Sequence, residues 1–180
     1  MDRIRLATVW LGGCSGCHMS FLDLDEWLFD LAEIADIVYS PVADIKEYPE
    51  GVDIAFVEGA VANEDHLKLI RTVRRNTRIV VSFGDCAVTG NVTAMRNPFG
   101  NAKTILEYVY REAPGEQGTL PCDPEIVPAL LDRVCPVHEA ITVDSYLFGC
   151  PPNAAAIREK LIETIEKART TDPSLTVSVK

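Results

Sequence analysis

Four of the six cysteines stand where strand-like runs end. Cys14-Ser15-Gly16-Cys17 follows the apolar run Ile4 to Leu11 and two glycines. Cys86 closes Ser82-Phe83-Gly84-Asp85-Cys86-Ala87, and Cys150 closes Leu147-Phe148-Gly149-Cys150-Pro151-Pro152. Two thiols three positions apart in a glycine-relieved turn can point the same way and share one metal or cluster. A Cys-x-x-Cys turn equally suits a dithiol redox pair or half of a zinc site. Two later cysteines in like surroundings turn the pair into a four-thiolate site, and such sites hold zinc or an iron-sulfur cluster. Structural zinc usually takes a cysteine pair on both sides. One pair joined by two widely separated single cysteines suits a 4Fe-4S cubane, whose irons accept ligands from well-spaced directions. Zinc and a dithiol redox pair stay open as alternatives.

The elements that must position these cysteines read as alternating strands and helices. Residues 4–11 form a first strand, and Phe21, Leu24, Leu28 and Leu31 recur at helical spacing after it. Asp36 to Ser40 is a second strand and Val52 to Val57 a third, near-continuously apolar, as expected when both faces are covered. Asn63 is a plausible cap for a helix over Glu64 to Arg75, and Arg78 to Phe83 is a fourth strand delivering Cys86. The stretch 87–103 is loop-rich, with a short helix over Thr104 to Tyr110. Residues 113–128 read as surface loop, Ile126 to Val134 as a short helical piece, and Ala140 to Phe148 as a fifth strand. An amphipathic helix, Ala154 to Ala168, follows Pro151 and Pro152. Such alternation predicts an α/β fold with a doubly wound parallel sheet and right-handed crossovers. The flavodoxin-like strand order 2-1-3-4-5 would gather Cys14, Cys17, Cys86 and Cys150 at the carboxyl edge, where open sheets bind ligands, with Glu58 beside them. Residues 1–180 are predicted to form a single flavodoxin-like domain carrying one cluster, with 169–180 a loose tail.

A chain of 180 residues with 47% hydrophobic content can bury a core without disulfides. Its net charge of −10 disfavours nucleic acid or an anionic membrane as partner. The one basic cluster, Arg71 to Arg78, suits a solvated helix face as well as it suits a partner. The amino terminus runs directly into the first strand, and no apolar stretch approaches the roughly 20 residues of a membrane helix. The expectation is a cytoplasmic chain with reduced thiols, where clustered cysteines favour metal over disulfides.

Several segments in order and register carry a resemblance: Ala7 to Asp23, Val57-Glu-Gly-Ala60, Ser82 to Asn91 and Gly149-Cys-Pro-Pro152. They resemble the small, electron-transferring subunit of NiFe hydrogenases, above all the soluble bidirectional, NAD(P)-linked, HoxY-like type, over nearly the whole chain. The resemblance implies that Cys14, Cys17, Cys86 and Cys150 hold a proximal 4Fe-4S cluster. That cluster would face a hydrogenase large subunit carrying the NiFe centre, which this chain has no motif to bind. Periplasmic and membrane-bound members add a cysteine-rich carboxyl-terminal region and a twin-arginine leader. The chain lacks both, so electrons are expected to pass to a further iron-sulfur subunit joined to a flavin-bearing diaphorase that reacts with NAD(P). The related subunit of respiratory complex I has adjacent cysteines where this chain has Cys14-x-x-Cys17, which disfavours quinone reduction.

Single residues divide between chemistry and structure. Glu58, in the Glu-Gly the family keeps near its catalytic partner, is a candidate catalytic proton relay or a loop-ordering carboxylate. His18 reads as a loop or helix-start residue, because four thiolates already complete the site. Thr89, Gly90 and Asn91 shape the backbone behind Cys86, with amides available to cluster sulfur. Arg96 is read as interface or solvent. Cys122 and Cys135 lack the strand-end setting and are assigned to packing or free thiols. The acidic run Asp23, Asp25 and Glu26 reads as a wet helix face, and Trp10, Phe21, Trp27, Phe83 and Phe148 as core or subunit interface. The flavodoxin-like edge has room for FMN, and the resemblance includes hydrogenases with a second flavin proposed near this subunit. Against it, the loop Leu11 to Cys17 that would cradle the phosphate already supplies two cluster ligands.

Overall fold

A computed structural model describes residues 3–112, 118–123 and 125–171. Seven strands are present among them: β1 Ile4–Trp10, β2 Ala35–Tyr39, β3 Val52–Glu58, β4 Val61–Asn63, β5 Thr77–Phe83, β6 Leu130–Cys135 and β7 Ser145–Leu147. The helices are α1 Gly16–Leu22, α2 Trp27–Ile34, α3 Glu64–Asn76, α4 Asp85–Thr89, α5 Asn91–Ala94, α6 Ala102–Glu107, α7 Val137–Ala140 and α8 Ala154–Thr171. Strands β2-β1-β3-β5-β7 make one parallel sheet. This is the doubly wound order expected of a flavodoxin-like fold, with β7 as its fifth strand.

Side chains alternate across each strand, so the sheet has two apolar faces. Ile4, Leu6, Ile54, Phe56, Val81 and Phe83 meet α1, α2 and α8 on one side. Ala7, Val9, Ala55, Val57 and Val80 meet α3, α4 and α7 on the other. Every residue of β3 is buried, which explains its near-continuous apolar run. Burying side chains the size of Phe56 and Phe83 contributes about 1.5–3 kcal/mol each, enough to fix the sheet whose ends carry the cysteines. Helix α3 starts as expected: Asn63 accepts from the His66 amide at 2.7 Å, with Glu64 and Asp65 in the first turn and Arg74 and Arg75 in the last.

The structure departs from the sequence reading in five places. The first helix is broken at Asp23–Glu26, where Asp25 turns the chain at φ 50, a conformation aspartate tolerates better than most. The predicted helical piece Ile126 to Val134 is instead β6, antiparallel to β4 in a second two-stranded sheet. Pro128 opposes a helix there. Arg96 holds the carbonyls of Ala62 and Leu131 at 3.1 and 2.6 Å, and Asn97 bonds both backbone groups of Val134. Arg96 is thus a strut under this small sheet rather than a solvated side chain. The predicted strand Ala140 to Phe148 is reduced to β7. Pro136 precedes the turn of helix α7, and Asp144 takes the Val80 amide at 2.8 Å and Arg74 at 2.6 Å. The loop-rich 87–103 contains α4, α5 and a 3₁₀ turn at Asn97–Phe99. Finally, α8 continues through Thr171, so the predicted loose tail does not begin at Arg169, whose segment is helical; residues 172–180 lie outside the described set. The basic cluster is largely absorbed within the chain, since Arg74 binds Asp144 and Arg78 binds Asp53 at 2.9 Å.

Candidate metal centre

The carboxyl edge of the large sheet is tied together before any side-chain chemistry is considered. The loop after β1 bonds the loop after β3 through Leu11 N–H to Glu58 O and a reciprocal Gly12–Ala60 bridge. The loops after β5 and β7 are joined by Gly84 N–H to Leu147 O and Asp85 N–H to Gly149 O, at 2.8 and 2.9 Å. Asp85 Oδ1 returns the bond by accepting from the Gly149 amide at 2.8 Å. Ser20 of α1 donates to Pro152 O at 2.5 Å, closing the ring between the first and last loops. Cys14, Cys17, Cys86 and Cys150 all sit on this stitched rim.

The four thiols are brought within electrostatic reach of one another. Burial pushes the Cys17 thiol up to about 12, with Glu58, Cys86, Cys14 and Cys150 raising it further. Cys86 is raised by burial and by Cys14 and Cys150, while the Val92 amide and Thr93 hydroxyl, which bond its sulfur, pull it down. Asn91 Nδ2 donates to Cys150 Sγ at 3.3 Å. The two inner thiols are therefore protonated at neutral pH until a cation displaces the protons. Among the described residues, no three His, Cys, Asp or Glu side chains converge tightly enough to share a single metal ion. One zinc would require its sulfurs roughly 4 Å apart, at about 2.3 Å from the metal. The residues suit a group that takes ligands from several directions. They supply four sulfurs from three loops, hydrogen-bond donors on two of them, and a cradle at Gly84, where an added Cβ would lie 2.2 Å from Cys17 Sγ.

Glu58, 1% exposed at the end of β3, reaches the rim from beneath. Its carboxylate accepts from the Cys17 amide at 3.3 Å and the His18 amide at 2.9 Å, and it closely pairs with His18 Nδ1. These amides belong to the first turn of α1, which has no side-chain cap of its own, so Glu58 caps that helix from another strand. His18 is more than the helix-start residue the sequence suggested. It is buried, pairs with Glu58, stands 5.3 Å from the Trp10 ring, and has no partner at Nε2.

The sequence pointed to Thr89, Gly90 and Asn91 behind Cys86 but missed that the Asn91 side chain reaches Cys150 and that Val92 and Thr93 serve Cys86. Cys122 is exposed and lies apart from the rim. Cys135 is half-buried at the end of β6, paired in the ladder with Val61. Phe21 and Phe83 are core residues. Trp10 and Phe148 are exposed, and Trp27 packs under Arg158. Asp23, Asp25 and Glu26 are exposed in the turn between α1 and α2. A cavity of about 360 Å³ lies beside His18, walled by Phe21, Leu28, Leu31 and Ile37. Arg3, which also lines it, is paired with Asp36 at 2.9 Å.

Comparison with known proteins places this geometry. Residues 14–164 match the family described as NADH ubiquinone oxidoreductase, 20 Kd subunit. The chain is 39% identical to the NAD-reducing hydrogenase HoxS subunit delta of Cupriavidus necator, over 91% of this chain and 79% of that protein. It is 36% identical to a component of the F420-non-reducing hydrogenase of Methanothermobacter marburgensis, over 92% of this chain but only 54% of that one. In three dimensions it superposes on a crystal structure of an NAD+-reducing [NiFe]-hydrogenase in the H2-reduced state. The TM-score is 0.82 at 43% identity, covering 89% of this chain and 90% of that one.

Proposed function

The chain belongs to the family of the NADH ubiquinone oxidoreductase 20 Kd subunit and is a homologue of hydrogenase small subunits, and from that premise we propose that it is an electron relay. In this reading it is one flavodoxin-like domain whose Cys14, Cys17, Cys86 and Cys150 hold a proximal 4Fe-4S cluster. It sits in the cytoplasm against a large subunit bearing a NiFe centre, and a diaphorase module reacting with NAD(P) lies beyond it. One observation carries the proposal: four thiols from the ends of β1, β5 and β7 meet on one rim, where Cys14, Cys86 and Cys150 all act electrostatically on Cys17.

The cluster, when bound, supplies a one-electron store between the hydrogen-activating centre and the acceptor. The protein's own part is to hold four sulfurs fixed, to shield two of them from water, and to set hydrogen bonds on them. Glu58 orders the Cys-x-x-Cys turn by capping α1 and, with His18, is placed to hold a proton beside the rim. An FMN on this chain finds less support, because the phosphate turn carries two of the cysteines and the cavity beside His18 offers no unpaired cation at Arg3.

The decisive measurement is metal content of the protein purified without oxygen. Four irons and four sulfides per chain, brown colour and a reducible electron paramagnetic resonance (EPR) signal are expected; colourless protein with one zinc would leave the zinc-stabilised binding module standing. Among thiol readings, a thiol-disulfide protein would keep its activity without Cys86 and Cys150, and this chain is expected to lose it. For Glu58, the Glu58→Gln variant should keep the EPR signal and lose turnover with hydrogen. If it instead lowers only the melting temperature, the carboxylate is structural. Removing one partner of a buried charged pair typically costs about 3–5 kcal/mol, so both readouts are needed.

A further inference from the structure

Three consecutive residues at the start of α5 place donors on two sulfurs that come from different strands. The Val92 amide and the Thr93 hydroxyl serve Cys86, and the Asn91 side chain serves Cys150. Asn91 does this from a backbone that few residues accept. Its φ is +34, directly after Gly90 at +85, and asparagine is one of the few side chains that tolerate the left-handed region. The donor face of the carboxamide must be the one turned to the sulfur, because its oxygen would meet another electron-rich atom. Cys150 is exposed whereas Cys17 and Cys86 are buried. A fixed amide at this corner replaces water that would otherwise come and go.

Resting on the proposed cluster, we propose that Asn91 is a positioning residue for electron transfer: its side-chain amide, held on Cys150 Sγ by a left-handed turn, raises the reduction potential of the centre. Reduction adds negative charge to the cluster and its sulfurs. A donor aimed at one of those sulfurs stabilises the reduced form more than the oxidised one. The Thr93 hydroxyl, also bonded to Gly12 O at 2.9 Å, acts in the same sense on Cys86 but is divided between two acceptors.

Two variants of the assembled complex test this by EPR-monitored redox titration. Asn91→Gly relaxes the backbone and deletes the amide; Asn91→Asp keeps the shape and substitutes an anion for the donor. Both should lower the midpoint, Asp further than Gly. For Asn91→Gly a tenfold change in the reduced-to-oxidised ratio at fixed potential is expected, about 59 mV for a one-electron couple. An unchanged midpoint in Asn91→Gly with the signal intact overturns the proposal, as does a change in melting temperature alone. If the unsubstituted complex gives no iron-sulfur signal, the reading of the cysteines fails rather than the role of Asn91.

Discussion

Cys86→Ala is expected to give a folded protein that holds no complete cluster and passes no electrons from hydrogen to any acceptor. Cys86 is buried in α4, but its sulfur faces the rim, and losing one sulfur atom from a well-packed site costs only about 1 kcal/mol. Thermal unfolding of the metal-free protein should therefore move by a few degrees. Iron content should fall below four per chain, and hydrogen-dependent reduction should fall to background. Cys150→Ala should behave alike. Cys122→Ala is the control: the thiol is exposed, beside Leu120 and Pro121 in a separate cavity near α6, and its loss should leave iron, signal and rate unchanged. A chain that keeps its cluster without Cys150 and loses it without Cys122 would show that the ligands had been misassigned.

Gly84→Ala should be as damaging, although it removes nothing. Gly84 links β5 to α4 at φ 83 and ψ 163, a region essentially closed to residues with a Cβ and worth about 1–3 kcal/mol of strain. The new methyl would also stand 2.2 Å from Cys17 Sγ and 3.4 Å from Gly149 O. Neither neighbour is free to leave, because Cys17 is buried in the first turn of α1 and the Gly149 carbonyl accepts from the Asp85 amide. Overpacking adds about 1–3 kcal/mol, and it falls where three of the cysteine loops meet. The expected result is a melting temperature lowered by about ten degrees, at roughly 2–4 °C per kcal/mol for a domain of this size, together with loss of iron. Gly51→Ala provides the comparison. It too has a positive φ, +68, but nothing within 4 Å of the new atom, so only the backbone penalty of about 1–2 kcal/mol applies. Equal effects at the two glycines would refute the argument from contact.

The sheet order and the meeting of the cysteines were legible because both follow from long-range regularities: apolar strands at even spacing, crossovers of one hand, and ligands at strand ends. Short elements were not. Val61–Asn63 is three residues long and offers no period to read. Its partner β6 could not be identified without it, so Ile126 to Val134 reads as a short helical piece. The role of Arg96 is invisible in sequence because its acceptors are backbone carbonyls, which every residue carries. The pairing of His18 with Glu58 spans 40 positions and depends on β1 and β3 being neighbours in register. In sequence Asn91 offers only a turn with amides behind Cys86. Its side-chain bond to a sulfur 59 positions away required the register of β5 and β7.

The two outward sulfurs and the two inward ones divide the rim by accessibility. An oxidant or chelator arriving from water meets Cys14 and Cys150 first, while Cys17 and Cys86 stay shielded behind them. In the proposed cluster, erosion would therefore begin at the outer corners, with the inner pair the last to let go. On the proposed function, a large subunit seated on this rim would be a shield as well as an electron donor, and the isolated chain should bleach in air sooner than the same chain in its complex.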